Sequence, residues 1–140
     1  MHTVIIVDDH KIFRDGISMM LPAIGAYTVV GSCNNGQEVI QMLQTVPAPD
    51  IVLLDITMPV MDGYETACWL RQHHPKTKVI AMFMDEQSRF ATKMMDAGCS
   101  DIVHKTATPD EWRNHLNTLM EITQGSVVYH IPEWLKRFLD

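Results

Sequence analysis

The sequence contains no apolar run of about 18 residues, the least that a membrane-spanning helix needs. Its start, Met1-His2-Thr3-Val4, lacks the basic residues and the long apolar stretch of a signal peptide. We therefore expect a cytoplasmic protein that has no membrane partner.

Cysteine is scarce, and its placement indicates no metal or disulfide framework. The three cysteines, Cys33, Cys68 and Cys99, lie far apart and are odd in number. No CxxC pair and no Cys/His cluster with zinc-site spacing occurs. We expect three buried free thiols, because free cysteine is usually buried.

Basic residues are few and scattered. Lys and Arg number 11 against 17 Asp and Glu, which gives a formal net charge of −6. A nucleic-acid-binding domain normally carries a basic patch or stripe, so we do not expect this segment to bind DNA directly. The GxGxxG pattern of dinucleotide sites is also absent.

What the sequence does contain is a regular alternation of two patterns. Short β-branched runs alternate with amphipathic stretches of helical spacing, which predicts a parallel sheet covered on both faces. The third run, Ile51-Val52-Leu53-Leu54, is apolar at every position, as is typical of a central strand. The predicted strands are residues 4–7, 29–30, 51–54, 79–82 and 102–103. The fold class is therefore α/β, with a five-stranded doubly wound parallel sheet.

The stretches between the strands predict five helices. The second stretch keeps helical spacing as far as Val46, Gly98 is placed to end the fourth helix, and Pro109 to begin the fifth. A chain of 140 residues fits one domain, which we place at residues 1–124. Residues 125–140 have no place in five βα units, and we predict a tail or linker with a short helix that begins near Pro132.

Charged side chains follow three of the predicted strands. Asp8 and Asp9 end the first strand, Asp55 ends the third, and Lys105 follows the fifth. The carboxyl ends of parallel strands meet at one edge, where ligands bind in such sheets. Two like charges about 4 Å apart repel by on the order of 4 kcal/mol at an effective dielectric constant of about 20. A hard divalent cation such as Mg²⁺ would offset this repulsion, with Lys105 as a second, fixed cation.

One of these carboxylates can then act as a nucleophile toward phosphorus, since formation of aspartyl phosphate needs mainly positioning and charge neutralisation. Asp8 and Asp9 taken alone could instead be a solvated pair at a helix N-terminus. His10, the next residue, is interpreted as a surface histidine because Mg²⁺ prefers oxygen ligands.

Three motifs give the chain a family resemblance. Val7-Asp8-Asp9-His10, the segment LLDITMPVMDG at residues 53–63, and His104-Lys105 resemble the receiver domain of bacterial two-component response regulators. The resemblance covers residues 1–124 and implies a flavodoxin-like receiver fold.

The resemblance also implies roles for individual residues. Asp55 would accept the phosphoryl group, and Asp9 and Asp55 would bind Mg²⁺ directly, with Asp8 acting mostly through water. The backbone carbonyl of Thr57 would be a further ligand, and Lys105 would pair with the phosphoryl oxygens. The phosphodonor would be a histidine kinase or a phosphotransfer protein, so the domain is expected not to be an enzyme.

The C-terminal part carries a weaker resemblance. Residues 124–135 resemble the junction of regulators that carry a C-terminal LuxR-type helix-turn-helix. Control of transcription would then require DNA binding through an output domain that this sequence does not contain. A homodimer stays open.

Two positions depart from the family pattern. Phe83 stands where the family has Ser or Thr at the end of strand four, and Ile102 stands where Tyr or Phe precedes the lysine by three residues. An interaction module with weak phosphorylation switching is therefore the main alternative. A phosphatase of the haloacid dehalogenase type needs a second Asp where Thr57 stands. A flavodoxin-like cofactor site would be repelled by Asp8 and Asp9.

Overall fold

A computed structural model of the chain describes residues 1–58, 60–84 and 88–123, with the side chains of 88–90 and 121–123 left aside. The described part alternates strands and helices throughout. The five strands are β1 His2–Val7, β2 Tyr27–Cys33, β3 Ile51–Asp55, β4 Lys78–Phe83 and β5 Asp101–His104. The five helices are α1 Lys11–Ile24, α2 Gly36–Met42, α3 Gly63–His73, α4 Ser88–Asp96 and α5 Pro109–Thr123. Each predicted strand is present and is longer by one or more residues than its apolar run.

The strands form one parallel sheet in the order β2-β1-β3-β4-β5, which confirms the predicted fold class. β3 is central and buried at all five positions, as its apolar run predicted. The chain moves from β1 to one side of the sheet and then crosses to the other side at β3. The crevice between β1 and β3 is the topological switch point, where ligands bind in this class of fold.

Side chains of successive strand residues enter two separate cores. In β3, Ile51 and Leu53 face α1 and α5, whereas Val52 and Leu54 face α2, α3 and α4. We call these the α1/α5 core and the α2/α3/α4 core. The α1/α5 core includes Val4, Ile6, Ile17, Leu21, Ile80, Met82, Val103, Trp112 and Leu116. The α2/α3/α4 core includes Ile5, Val7, Val39, Leu70, Val79, Ala81, Phe83, Met94 and Ile102.

The structure confirms the predicted end of the fourth helix and corrects the predicted end of the second. Gly98 has a φ of 100°, a backbone conformation that favours glycine, and it follows α4 as predicted. The prediction that the second helix reaches Val46 is wrong. α2 ends at Met42, and Val46 is 39% exposed in a turn that precedes Pro47. A residue before proline is disfavoured in the helical conformation, so periodicity alone overestimates this helix.

The cysteines are free, and two of them are buried as predicted. Burial raises the pKa of Cys33 to about 11 and the pKa of Cys99 to about 12, so neither is a thiolate at neutral pH. Cys68 is only half-buried, which corrects the prediction of three buried thiols. It lies on α3 at the margin of the α2/α3/α4 core, where helical spacing brings it partly to the surface.

Two further predictions concern residues that the structure does not describe. These are the domain boundary at residue 124 and the tail helix at 125–140. Within the described residues, no helix is long and apolar enough to cross a membrane.

Candidate functional site

Three charged side chains meet at the carboxyl edge of the sheet, at the ends of β1, β3 and β5. Nζ of Lys105 lies 2.7 Å from Oδ2 of Asp8 and 3.2 Å from Oδ2 of Asp55. The three side chains are at most 7% exposed. The strand ends therefore come together as the sequence predicted, in a nearly dry environment.

The alternation of the strands explains why these side chains face one another. Val4 and Ile6 in β1 enter the α1/α5 core, and two residues further on Asp8 points to the same face. Asp55 follows Leu53 by the same step, and Lys105 follows Val103. All three side chains therefore emerge on the face that carries α1 and α5.

Asp9 and His10 complete the group on its solvent side. Asp9 is exposed, and Nδ1 of His10 lies 3.2 Å from Oδ1 of Asp8 and 3.2 Å from Oδ1 of Asp9. One ligand atom from each of Asp8, Asp9, His10 and Asp55 lies within 4.8 Å of the others. These four residues can hold a metal ion. The contact of His10 with both carboxylates is a part of the site that sequence reasoning missed.

The donor set fits a hard cation. Three of the four side chains offer carboxylate oxygens, and Oδ2 of the fully buried Asp8 has spare acceptor capacity. Its close partner among the described residues is the Lys105 ammonium, in an ion pair without hydrogen-bond geometry. His10 is 69% exposed at its side chain, as expected for a surface histidine. A site of this composition suits an oxygen-preferring divalent ion.

The burial of Asp55 changes its acidity. Burial first, and the negative charge of Asp8 second, raise the pKa of Asp55 to about 6. Lys105 opposes this rise, as does the Thr57 N–H, which donates to Oδ1 of Asp55 at 3.3 Å. Burial acts to lower the pKa of Lys105, but its contacts with Asp8 and Asp55 outweigh burial and raise it. Lys105 therefore stays charged at neutral pH, whereas Asp55 keeps its proton to a higher pH than an ordinary aspartate.

Neighbouring main-chain and side-chain groups hold Asp8 in place. Its N–H donates to the Cys33 carbonyl at 3.0 Å, and its Oδ1 accepts from the His10 N–H at 2.8 Å. The Arg14 guanidinium donates to the Asp8 carbonyl oxygen. Sequence reasoning missed Arg14, although it stands at an otherwise apolar position three residues before Ile17 in the stripe of α1. Phe13 was missed too, and its ring centroid lies 5.2 Å from Nζ of Lys105.

The loop after β3 folds closely over the strand end. A Cβ on Gly63 would lie 2.4 Å from the Asp55 carbonyl oxygen, so only glycine fits there. The Gly63 N–H donates to the Ile56 carbonyl at 3.0 Å. Asp62 caps α3 by accepting from the Glu65 N–H at 2.9 Å, as expected for a residue that starts the helix.

The family model of the response regulator receiver domain matches residues 4–117 of this chain. The chain belongs to this family. Over 104 residues it is 36% identical to response regulator GacA of Pseudomonas viridiflava. This match covers 74% of the chain and 48% of GacA. The chain spans about half the length of the curated relatives it matches.

Solved receiver structures have the same fold. The isolated receiver domain of RcsB from Salmonella enterica serovar Typhimurium, solved with phosphomimetic BeF3−, matches with a TM-score of 0.84 and 25% identity. The match covers 99% of each chain. RcsB of the same organism bound to promoter rprA matches with a TM-score of 0.75 and 28% identity, over 84% of this chain and 67% of that one. The resemblance noted in the sequence is confirmed.

The two positions that depart from the receiver pattern are both buried in this domain. Phe83 ends β4, is 7% exposed and belongs to the α2/α3/α4 core. Its ring meets the ring of His104 edge to face, with 4.8 Å between the centroids. Ile102 is fully buried in the same core. This chain therefore has neither a hydroxyl at the end of β4 nor, at the Ile102 position of β5, a mobile aromatic ring that a receiver switch could use.

Proposed function

We propose that this receiver domain accepts a phosphoryl group on Asp55. One observation supports the proposal most directly. The Asp55 carboxylate lies at the end of the central strand, almost fully buried, beside an acidic pair and 3.2 Å from the ammonium of Lys105. Attack of a carboxylate on phosphorus needs a positive charge close to the incoming phosphoryl oxygens, and Lys105 is placed to provide it.

The transfer balances as a substitution at phosphorus. An Asp55 carboxylate oxygen forms a bond to the phosphorus of a phosphohistidine, and the bond from phosphorus to the imidazole nitrogen breaks. The electron pair of that bond leaves with the imidazole, which departs as a neutral ring because its other nitrogen carries a proton. Asp55 contributes no proton, because it reacts as the carboxylate, and Lys105 keeps its own proton while it pairs with the phosphoryl oxygens. The partner would be a histidine kinase or a phosphotransfer protein, and the receiver itself is not proposed to be an enzyme.

The proposed metal is Mg²⁺, held by Asp8, Asp9 and Asp55 with the Thr57 carbonyl. When bound, Mg²⁺ supplies positive charge beside the carboxylates and the phosphoryl oxygens. Asp8 is fully buried and already paired with Lys105, which favours a role mediated by water. Asp9 is exposed at the mouth of the site, where its carboxylate would bind the ion directly.

The consequence of phosphorylation is also a proposal. The matched region spans only about half of the length of the curated relatives, and a structure of RcsB is described as bound to promoter rprA. We propose that phosphorylation of this domain controls transcription through an output domain that binds DNA. Dimerisation and a cytoplasmic location stay predictions.

A second candidate function is an interaction module that switches weakly. The observation that favours it is the pair of buried side chains Phe83 and Ile102, which lack the groups of the usual receiver switch. In this case the domain would bind its partners similarly with and without the phosphoryl group.

The test is incubation with acetyl phosphate and Mg²⁺, followed by mass spectrometry of the intact protein. Wild type should gain one phosphoryl group, and Asp55→Asn none. Asp15→Asn is the matched control, because Asp15 is an exposed aspartate of α1 in a surface pair with Lys11. Labelling that persists in Asp55→Asn would refute the assignment of Asp55. If wild type is not labelled and binds a histidine kinase as tightly with acetyl phosphate as without it, the interaction module is favoured.

A further inference from the structure

Arg14 is a buried charge that the proposed chemistry does not use. It takes a core position of α1, where the buried residues are Arg14, Ile17, Leu21 and Ile24, and it is 7% exposed. A buried charge is costly unless hydrogen bonds compensate it. The contacts of Arg14 therefore indicate why a guanidinium stands in an apolar stripe.

Three acceptors surround this guanidinium, at the ends of β1 and β2. Nη1 donates to the Asp8 carbonyl oxygen and, at 2.8 Å, to Oδ1 of Asn34. Nε donates to Oγ of Ser32 at 2.8 Å. No ion pair among the described residues involves Arg14, so its fork serves neutral acceptors. A lysine has no fork and could not reach all three acceptors at once.

The network continues away from the acidic pair through Asn34. The Asn34 N–H donates to Oε1 of Glu38 at 2.9 Å, and Nδ2 lies 3.3 and 3.2 Å from the two carboxylate oxygens of Glu38. These contacts turn Oδ1 of Asn34 toward Arg14. Glu38 in turn belongs to the first turn of α2, which Asn35 caps. The β2–α2 junction therefore holds Arg14 in its orientation.

The main chain of Asp8 is held on both sides as a result. Its N–H binds the Cys33 carbonyl and its carbonyl binds Arg14. The peptide that Arg14 holds is the one that joins Asp8 to Asp9. Rotation of that peptide would turn both carboxylates away from the position where ligand atoms of the four site residues now lie within 4.8 Å.

We infer that Arg14 is a positioning residue for the cation site: it fixes the peptide between Asp8 and Asp9, with Asn34 and Glu38 fixing Arg14. The inference rests on the proposed metal function of that site. It makes a prediction of opposite sign from simple electrostatics. A positive charge near a cation site repels the cation, so loss of Arg14 would strengthen metal binding if the charge alone mattered. Loss of positioning would weaken metal binding.

The experiment is calorimetric titration of the whole chain with Mg²⁺ and with Mn²⁺. Arg14→Gln should weaken the affinity by about tenfold or more, the loss typical of residues that orient metal ligands. Arg14→Lys should also weaken it, because it keeps the charge without the fork. Asn34→Ala should weaken it less and in the same direction. It should add little to Arg14→Gln in the double variant, because the two residues act through one contact.

Two controls separate positioning from general stability. Ile17→Ala lies on the same face of α1 and should lower the stability in urea without changing metal affinity. If Arg14→Gln does not fold, Asn34→Ala still tests the inference, because Asn34 is exposed. In metal-free Asn34→Ala, the amide resonances of Asp8 and Asp9 should shift in NMR spectra.

The outcomes are distinguishable. Unchanged or tighter metal binding in Arg14→Gln and Asn34→Ala, with a wild type that binds metal, would overturn the inference and leave the proposed function intact. A wild type that binds neither ion would refute the proposed metal, and this inference with it.

Discussion

The ammonium nitrogen of Lys105 lies 3.2 Å from Oδ2 of Asp55, and both side chains are almost fully buried. This ion pair does not restore the ordinary acidity of Asp55, since its pKa stays raised to about 6. The metal-free domain therefore carries a carboxylate at neutral pH that the folded state disfavours. Stability and the proposed function are therefore in opposition at this residue, as is common at functional sites.

The first prediction concerns the pH dependence of that cost. Asp55 has a pKa of about 6 in the folded state and an ordinary value of 3.8. Well below pH 4 both states are protonated and there is no cost. As pH rises toward 6, the unfolded state loses its proton while the folded state retains it, so stability is lost and then levels off. Asp55→Asn should therefore stabilise the metal-free protein most above pH 6 and hardly at all near pH 4.

The measurement is urea unfolding in EDTA from pH 4 to pH 8. Asp110→Asn, at a carboxylate that is 84% exposed, serves as the control and should show no such trend. A gain in Asp55→Asn that is the same at every pH would contradict the raised pKa.

The second prediction concerns Lys105. Lys105→Met leaves the buried carboxylates of Asp8 and Asp55 without their cation, and we expect a loss of about 3–5 kcal/mol in the free energy of unfolding. Lys11→Met removes a surface pair with Asp15 and should cost at most about 0.5 kcal/mol. Addition of Mg²⁺ should raise the free energy of unfolding of Lys105→Met by more than it raises that of wild type. A small loss, similar to that of Lys11→Met, would show that the buried pair is not needed.

The third prediction concerns Val60, in the loop after Asp55. Its φ is 69°, a left-handed conformation that is strained for a β-branched side chain, and the residue is 78% exposed. Val60→Gly should relieve about 1–2 kcal/mol of strain at an entropic cost of about 0.5–1 kcal/mol, for a net gain in stability. Val30→Gly, in β2, is the control and should destabilise. Thermal unfolding decides the sign, and a loss in Val60→Gly would show that this loop needs the valine.

The fourth prediction concerns the coupling of the site to the fourth helix. Phe83 has no hydroxyl to donate to a phosphoryl group, a bond worth about 1.5–3 kcal/mol when the partner is charged. A ligand shifts two states only by its differential interaction with them. Beryllofluoride with Mg²⁺ should therefore move NMR resonances near Asp55 and leave residues 91–102 little changed.

The variant Phe83→Thr introduces the hydroxyl and should extend these shifts toward α4, whereas Phe83→Val should not. Valine has the shape of threonine without the hydroxyl, so the comparison between the two variants isolates the hydroxyl. Large shifts through residues 91–102 in wild type would show that the switch operates without its usual parts.

Much of the fold was predictable because the information is local. An apolar run such as Ile51 to Leu54 has the length and composition of a buried strand, and helical spacing marks the segments between strands. Parallel strands then place all their carboxyl ends at one edge, which identified Asp8, Asp55 and Lys105 as neighbours. The same local rules overestimated α2, because spacing says nothing about the turn that ends a helix before Pro47.

The tertiary structure decided which atoms meet. The Lys105 ammonium lies nearer to Asp8 than to Asp55, and Arg14 holds the Asp8 carbonyl from α1. Neither contact has a periodic signature in sequence. The first joins elements that are distant in the chain, and the second depends on how α1 packs beside the ends of β1 and β2. The raised pKa of Asp55 also comes from the tertiary structure. Asp55 is buried, and lies close to the charge of Asp8, only once β1, β3 and α1 have packed together.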